Sequence, residues 1–247
     1  MSSGGWAAGS CPHGVVYALK FVIRGESPRD YVDLIRSLKF PPTVCISDVP
    51  HRLAVHANNV VHQMFSPFDG RLFEPTADNI RDAINGSLVK HMPWIGGLNK
   101  TPTVADVHPV SGIKERYSLF DRFHENNSGA DADILRRVTL VPELNGFINT
   151  ETEEQLHSKF KDTNYFLNMM SPVNHIFCKR LLIHFSNEAI NSNYKSTLLE
   201  VLKKQSREND ITEDSLGMFT LSSLVGVHQS DDSGMYVHKF IIQMGVF

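Results

Sequence analysis

Cysteine is scarce in this chain. The three present, Cys11, Cys45 and Cys178, are far apart and odd in number. They make no disulfide framework and read as the reduced thiols of cytosol or nucleus. A surplus of basic charge is also missing: 24 Lys and Arg stand against 27 Asp and Glu, for a net charge of −3. A free-standing nucleic-acid binder carries a basic excess, so any nucleic-acid contact would come from a local patch or from another polypeptide. No run approaches the ~18 apolar residues of a membrane span. Met1 to Ser10 has neither the basic start nor the apolar core of a signal peptide. Asn85-Gly86-Ser87, Asn99-Lys100-Thr101 and Asn126-Asn127-Ser128 have the form of glycosylation acceptors, which means little without a secretory route. There is no phosphate-binding P-loop, dinucleotide fingerprint, nucleophile elbow or H-E-x-x-H zinc motif. What is present is an ordinary globular composition: 247 residues, 41% hydrophobic and 21% charged. That suits one large domain, or one domain and a tail, and excludes a disordered chain, a collagen-like repeat and a coiled coil.

The first organised unit is strand, helix, strand. Val15 to Ile23 is rich in β-branched and aromatic residues. Ser27 and Pro28 then have the form of a helix cap and first helical position. Tyr31, Leu34, Ile35 and Leu38 fall on one helical face. Pro41-Pro42 stops that helix, and Thr43 to Ser47 forms a second strand that delivers Asp48 at its end. Short helices are expected over 51–59 and over 76–85, the latter capped by Thr76. Between them 64–74 reads as an ordered loop. Residues 93–112 read as a long connection. Tyr117, Phe120 and His124 have helical spacing, and 131–138 is also expected to be helical. A later helix is capped by Thr150 with Glu153 at the capping-box position. Another opens at Ser171-Pro172, runs to about Asn187 and is apolar enough to be buried on most sides. Two strands, 218–227 and 235–247, complete a C-terminal hairpin.

Few residues suggest chemistry. Asp48 ends a strand, where α/β folds place ligands, though an Asp before Pro50 also suits a turn. Glu154, with Glu151 and Glu153, lies at a helix start, where the dipole alone accounts for acids. Together Asp48 and a helix-borne Glu make half of a carboxylate site for Mg²⁺. Cys11-Pro12-His13 is half of a zinc site, but Cys45, His51 and His56 do not make a regular second pair. Arg136-Arg137 and Lys179-Arg180 are basic spots too small for a nucleic-acid footprint.

Several long runs, in order, carry a family resemblance. They are Cys11-Pro12-His13-Gly14-Val15-Val16-Tyr17, Glu26-Ser27-Pro28-Arg29-Asp30, Ile46-Ser47-Asp48 and Asp69-Gly70-Arg71. Leu119-Phe120-Asp121-Arg122-Phe123-His124-Glu125, Glu154-Gln155-Leu156, the stretch from Asn164 to Met170, Pro172 and His175-Ile176-Phe177 follow. Across about residues 11–190 the chain resembles the transposase-derived region of vertebrate HMG-domain-containing proteins, within the Kyakuja-Dileera-Zisupton transposases. The resemblance implies an α/β, ribonuclease-H-like fold and a D-D-E metal site that cuts and joins DNA. Asp48 matches the second acid, and Glu154 the final one, with Glu153 as its fallback. Mg²⁺ would be the cofactor if the site were active. Such a fold places its first acid on a central strand upstream of Val15, yet only fourteen residues precede Val15 and Met1 to Ser10 contains no acid and no strand pattern. The reading is therefore a ribonuclease-H-like domain, 11–190, without its first strand, with a largely helical or loop insertion over about 64–136. An unassigned extension, 191–247, carries the β-hairpin. A partner strand, or that hairpin, would fill the gap. The expected role is a catalytically inactive interaction module for DNA or nuclear proteins, in nucleus or cytoplasm and without a membrane. The alternatives are a residual nuclease or strand transferase, with Asp69 or Asp121 as substitute acid, and a zinc-stabilised module built on Cys11 and His13.

Overall fold

The computed structural model describes residues 5–23, 25, 27–96, 108, 111–145, 149, 152–205, 211–213, 219–221 and 241–246. The chain is mixed α/β, with one five-stranded and one two-stranded sheet among the described residues. The strands of the larger sheet are β1 (Gly5–Ser10), β2 (Val16–Val22), β3 (Val44–Ser47), β4 (Tyr117–Phe120) and β7 (Ile241–Val246). Their order across the sheet is β2-β1-β7-β3-β4. β1 runs antiparallel to β2 and to β7, while β7, β3 and β4 are mutually parallel. The helices are α1 (Pro28–Ser37), α2 (Pro50–Val60), α3 (Ala77–Ile84), α4 (Thr152–Asn168) and α5 (Pro172–Gln205). β5 (Ile211–Glu213) and β6 (Phe219–Leu221) form the small antiparallel sheet.

Alternation along the strands builds three layers. Ala7 and Cys45 point to one face, where Tyr31, Val32, Leu34 and Ile35 of α1 and Leu53, Ala54 and Ala57 of α2 close over them. Trp6 and Ala8 point to the other, against Leu156 and Phe160 of α4 and Ile183 of α5. On that second face Val44, Ile46, Tyr117 and Leu119 pack against Ala83 of α3 and the 3-10 turns that carry Leu135, Val138 and Leu140. The β2–α1–β3 unit forms where the sequence places it. Thr76 also caps α3, its hydroxyl accepting the Asn79 N–H at 3.2 Å. Ser27 does not cap α1 through its side chain; its hydroxyl donates to Asp30 at 2.9 Å instead.

Four expectations are corrected. Gly5–Ser10 is a strand, although its small residues carry no strand pattern. Tyr117–Phe120 is a strand as well, and all four residues are buried. The segment over 64–136 therefore contributes to the sheet rather than lying wholly outside it. The C-terminal hairpin does not form as read: β6 pairs with β5, and β7 inserts between β1 and β3. An apolar run such as Ile241–Val246 suits a strand flanked on both sides. A strand of the chain itself, β7, thus fills the place between β1 and β3. Finally, α5 is not buried on most sides: Val173 is 76% exposed, Phe177 61% and Phe185 62%. The capping residue expected at Thr150 lies outside the described residues.

The free edge of β2 is partly covered from α5. The Asn187 side chain accepts the Val16 N–H and donates to the Val16 carbonyl, both at 3.0 Å, as a paired strand would. Lys20 on the same strand reaches Asp30 and Asp33 of α1 at 2.8 and 2.5 Å, a charge of the kind that discourages edge-to-edge pairing. Replacing Asn187→Ala is expected to lower stability by about 1–2 kcal/mol, because two main-chain groups lose their partner. Urea denaturation of the two proteins measures it, and an unchanged midpoint would show the clasp to be dispensable.

Candidate functional site

The C-terminal ends of β3 and β4 bring together several of the polar side chains that the sequence singles out, among them Asp48, Asp121, His51 and Arg136. Asp48 follows β3 directly and is half-buried. Asp121 follows β4, and its N–H donates to the Ser47 carbonyl at 3.2 Å. The two acids therefore terminate neighbouring parallel strands. Asp121 is engaged with His124, whose Nδ1 lies 2.7 and 2.9 Å from the two carboxylate oxygens and whose N–H donates at 2.8 Å. Ser47 Oγ, His51 Nδ1 and Arg71 Nε are buried at this end of the sheet and have no hydrogen-bond partner among the described residues.

Beside them lies a polar cluster centred on Asp133 and Arg136. Arg136 is fully buried. Its Nε donates to Asp133 at 3.3 Å, and its two terminal nitrogens donate to the Ser118 carbonyl at 3.1 Å and the Asp69 carbonyl at 2.9 Å. One guanidinium thus ties β4 to the loop between α2 and α3. Burial, with Arg71 nearby, lowers its pKa to about 10, against the opposing pull of Asp133; it stays charged at neutral pH. Asp133 also accepts from Ser128 Oγ at 2.6 Å and lies 3.8 Å from both Arg71 and His51. Burial lowers the His51 pKa and outweighs the attraction of Asp133.

The loop needs that anchor because its backbone is unusual. Phe68 and Asp69 have φ of 51° and 53°, a left-handed conformation that side chains disfavour. Asn58 of α2 holds them, exchanging hydrogen bonds with the Phe65 backbone at 2.8 and 3.1 Å and donating to the Asp69 carboxylate at 3.0 Å. Gly70, at φ +76°, lies so close to β4 that a Cβ would sit 3.0 Å from the Ser118 nitrogen. No other residue fits there without displacing the strand.

Glu154 is elsewhere. Thr152 at the start of α4 donates to the Pro12 carbonyl at 3.3 Å. Ser10 is level with Gln243, and Gln243 with Ile46, so Pro12 lies beside the N-terminal end of β3. That is about four residue steps, ~13 Å along the strand direction, from Asp48. Glu154 itself is exposed, while Leu156 and Phe160 face the sheet. The Glu153 side chain lies outside the described residues. Asp69 is near the cluster, but its side chain is 58% exposed. Cys11 and Cys45 are both buried, and His13 packs edge-on against Tyr194 at 4.5 Å. Among the described residues no three His, Cys, Asp or Glu side chains converge to hold a metal ion. Two-metal phosphoryl chemistry needs several acids around one point. The donors placed here are two acids at one end of the sheet and Glu154 towards the other, a set that does not fit a Mg²⁺ pair.

Sequence reasoning missed Asp133, Arg136 and Asn58 as a group. Arg136 reads as half of a surface basic pair, and only its place beside an apolar run (Val138, Leu140, Val141) hints at burial. Lys179 is misread in the same way. It is fully buried, its amine 4.8 Å from the Phe160 ring centroid, and burial lowers its pKa to about 8. Arg136→Met is expected to cost about 3–5 kcal/mol, since Asp133 and two carbonyls are left buried without it. Chemical denaturation tests this, and a loss below about 1 kcal/mol would show that the loop holds itself.

No family model and no solved structure matches the chain. Among the described residues no helix is long and apolar enough to cross a membrane. One similarity is informative: human HMG domain-containing protein 3 is 36% identical over 139 residues, covering 54% of this chain and 10% of that protein. The chain spans about a tenth of the length of this curated relative. Over that shared segment, the chain is related to HMG domain-containing protein 3.

Proposed function

We propose that this chain is a transposase-derived domain with a ribonuclease-H-like sheet that no longer cuts DNA, and that it serves in the nucleus as an interaction module for DNA or protein. Three features support the fold part. The sheet is mixed, its central strand has an antiparallel neighbour on one side and parallel ones on the other, and helices cover both faces. The relationship to an HMG-domain-containing protein agrees with the family resemblance of the motifs. The observation that carries the functional part is the identity of the central strand. Its residues are Ile241-Ile242-Gln243-Met244-Gly245-Val246. The strand that would bring the first acid of a D-D-E set contains no carboxylate. Asp48 keeps its place at the strand end, while Asp69-Gly70-Arg71 and the Asp121–Glu125 run are engaged in holding loops.

The enzyme reading has one observation in its favour, the adjacent ends of β3 and β4 that carry Asp48 and Asp121. One experiment decides between them. Supercoiled plasmid incubated with the protein and Mg²⁺ or Mn²⁺ is expected to remain unnicked above background, equally for wild type and Asp48→Asn. Metal-dependent nicking that Asp48→Asn abolishes would overturn the proposal.

A further inference from the structure

The opposite end of the same two strands holds a cavity that the proposed function does not use. It has a volume of ≈ 730 Å³ and is walled by Lys39, Phe40, His108, Lys114, Glu115 and Arg116, together with the loop around Ser66. Lys39 and Phe40 follow α1, and Arg116 immediately precedes β4. The length of β3 and β4 therefore separates this cavity from Asp48 and Asp121.

Its charge is unlike that of the chain. Three cations face one acid, in a protein whose net charge is −3. Arg116 is half-buried and makes no ion pair with any described residue. Its N–H donates to the Ser66 carbonyl at 2.8 Å, which sets the residue's backbone beside the cavity that it lines. His108 is buried in the wall, and its Nδ1 accepts the Ser111 N–H at 3.4 Å. Burial and Arg116 lower its pKa to about 4. The ring is thus neutral at pH 7, with its proton on Nε2 as a hydrogen-bond donor.

The aromatic wall narrows the ligand further. Phe40 is 50% exposed. The Lys39 amine lies 5.3 Å from its ring centroid, and His108 is edge-on at 6.3 Å. An exposed ring beside a cation offers a stacking surface for a planar group. The volume lies in the ~300–1,000 Å³ range of small-molecule sites.

We propose that this cavity binds a phosphate monoester carrying a planar ring, of mononucleotide size, with the phosphate on Arg116 and Lys114 and the ring against Phe40. The site is independent of the strand-end acids and goes beyond the interaction module proposed above.

Calorimetric titration of the full chain with AMP, ribose 5-phosphate and a single-stranded oligonucleotide tests it. AMP is expected to bind at one site, more tightly than ribose 5-phosphate. Arg116→Gln should weaken AMP by about tenfold or more. Phe40→Ala should weaken AMP about fivefold while leaving ribose 5-phosphate unchanged. Asp48→Asn should bind AMP as wild type does, which separates this site from the strand-end acids. Lys114→Gln, an exposed substitution, is the second variant, and thermal melting confirms that each variant is folded. Absence of saturable AMP binding would overturn the proposal. So would undiminished affinity in folded Arg116→Gln and Lys114→Gln, equal binding of ribose 5-phosphate, or binding of the oligonucleotide without AMP.

Discussion

The main-chain groups of β1 and β3 need partners, and the fold depends on where they find them. The two strands do not pair with each other. β1 has β2 on one side and β3 has β4 on one side, and β7 takes the other side of both. Ala7, Ala8, Cys45 and Ile46 have no solvent exposure, so water cannot serve as substitute. Each buried N–H or carbonyl left unpaired costs about 1–3 kcal/mol. The ladders that β7 makes, over Ala7–Ser10 and over Val44–Ile46, therefore decide whether one sheet exists or two fragments. They also join the start of the chain to its end, a closure that makes folding slow.

Once the sheet is closed, its two ends acquire different characters. At the C-terminal ends of β3 and β4, a buried guanidinium and a buried carboxylate hold a loop whose backbone would otherwise relax. Much of the polar chemistry there is spent on structure: Arg136 on carbonyls, Asp121 on a turn, Glu125 on the Thr139 N–H and hydroxyl. At the N-terminal ends of the same strands, Arg116 makes no ion pair with any described residue and lines a cavity instead. Of the motifs that carry the family resemblance, Ile46-Ser47-Asp48, Asp69-Gly70-Arg71 and the run from Leu119 to Glu125 lie at the first kind of site, where most of their described polar contacts hold loops.

What was legible in the sequence follows from range. β2, α1 and β3 announce themselves through local alternation, a Ser-Pro start and a double proline stop. β4 does not, because Tyr117 to Phe120 is buried on both faces and a four-residue run with that burial has no period to read. β1 is silent for another reason: Gly5, Ala7, Ala8 and Gly9 are small residues of low strand propensity. β7 is recognisable as a strand, but its partners lie at the far end of the chain, and no local signal names them. Asp48 follows a strand and Glu154 lies near a helix start, as their local sequence suggests. Their three-dimensional arrangement turned on register, which puts Pro12, and with it the start of α4, level with the beginning of β3 rather than with Asp48.

The central claim is that β7, the last strand among the described residues, is the middle strand of the larger sheet. Amide hydrogen exchange on the full chain, resolved to single residues or short peptides, reads it directly. The account predicts that amides within Ile242–Val246 exchange as slowly as those of Ala8 and Cys45 and open together with them. Exchange of that segment at loop rates, while β3 and β4 stay protected, would contradict it.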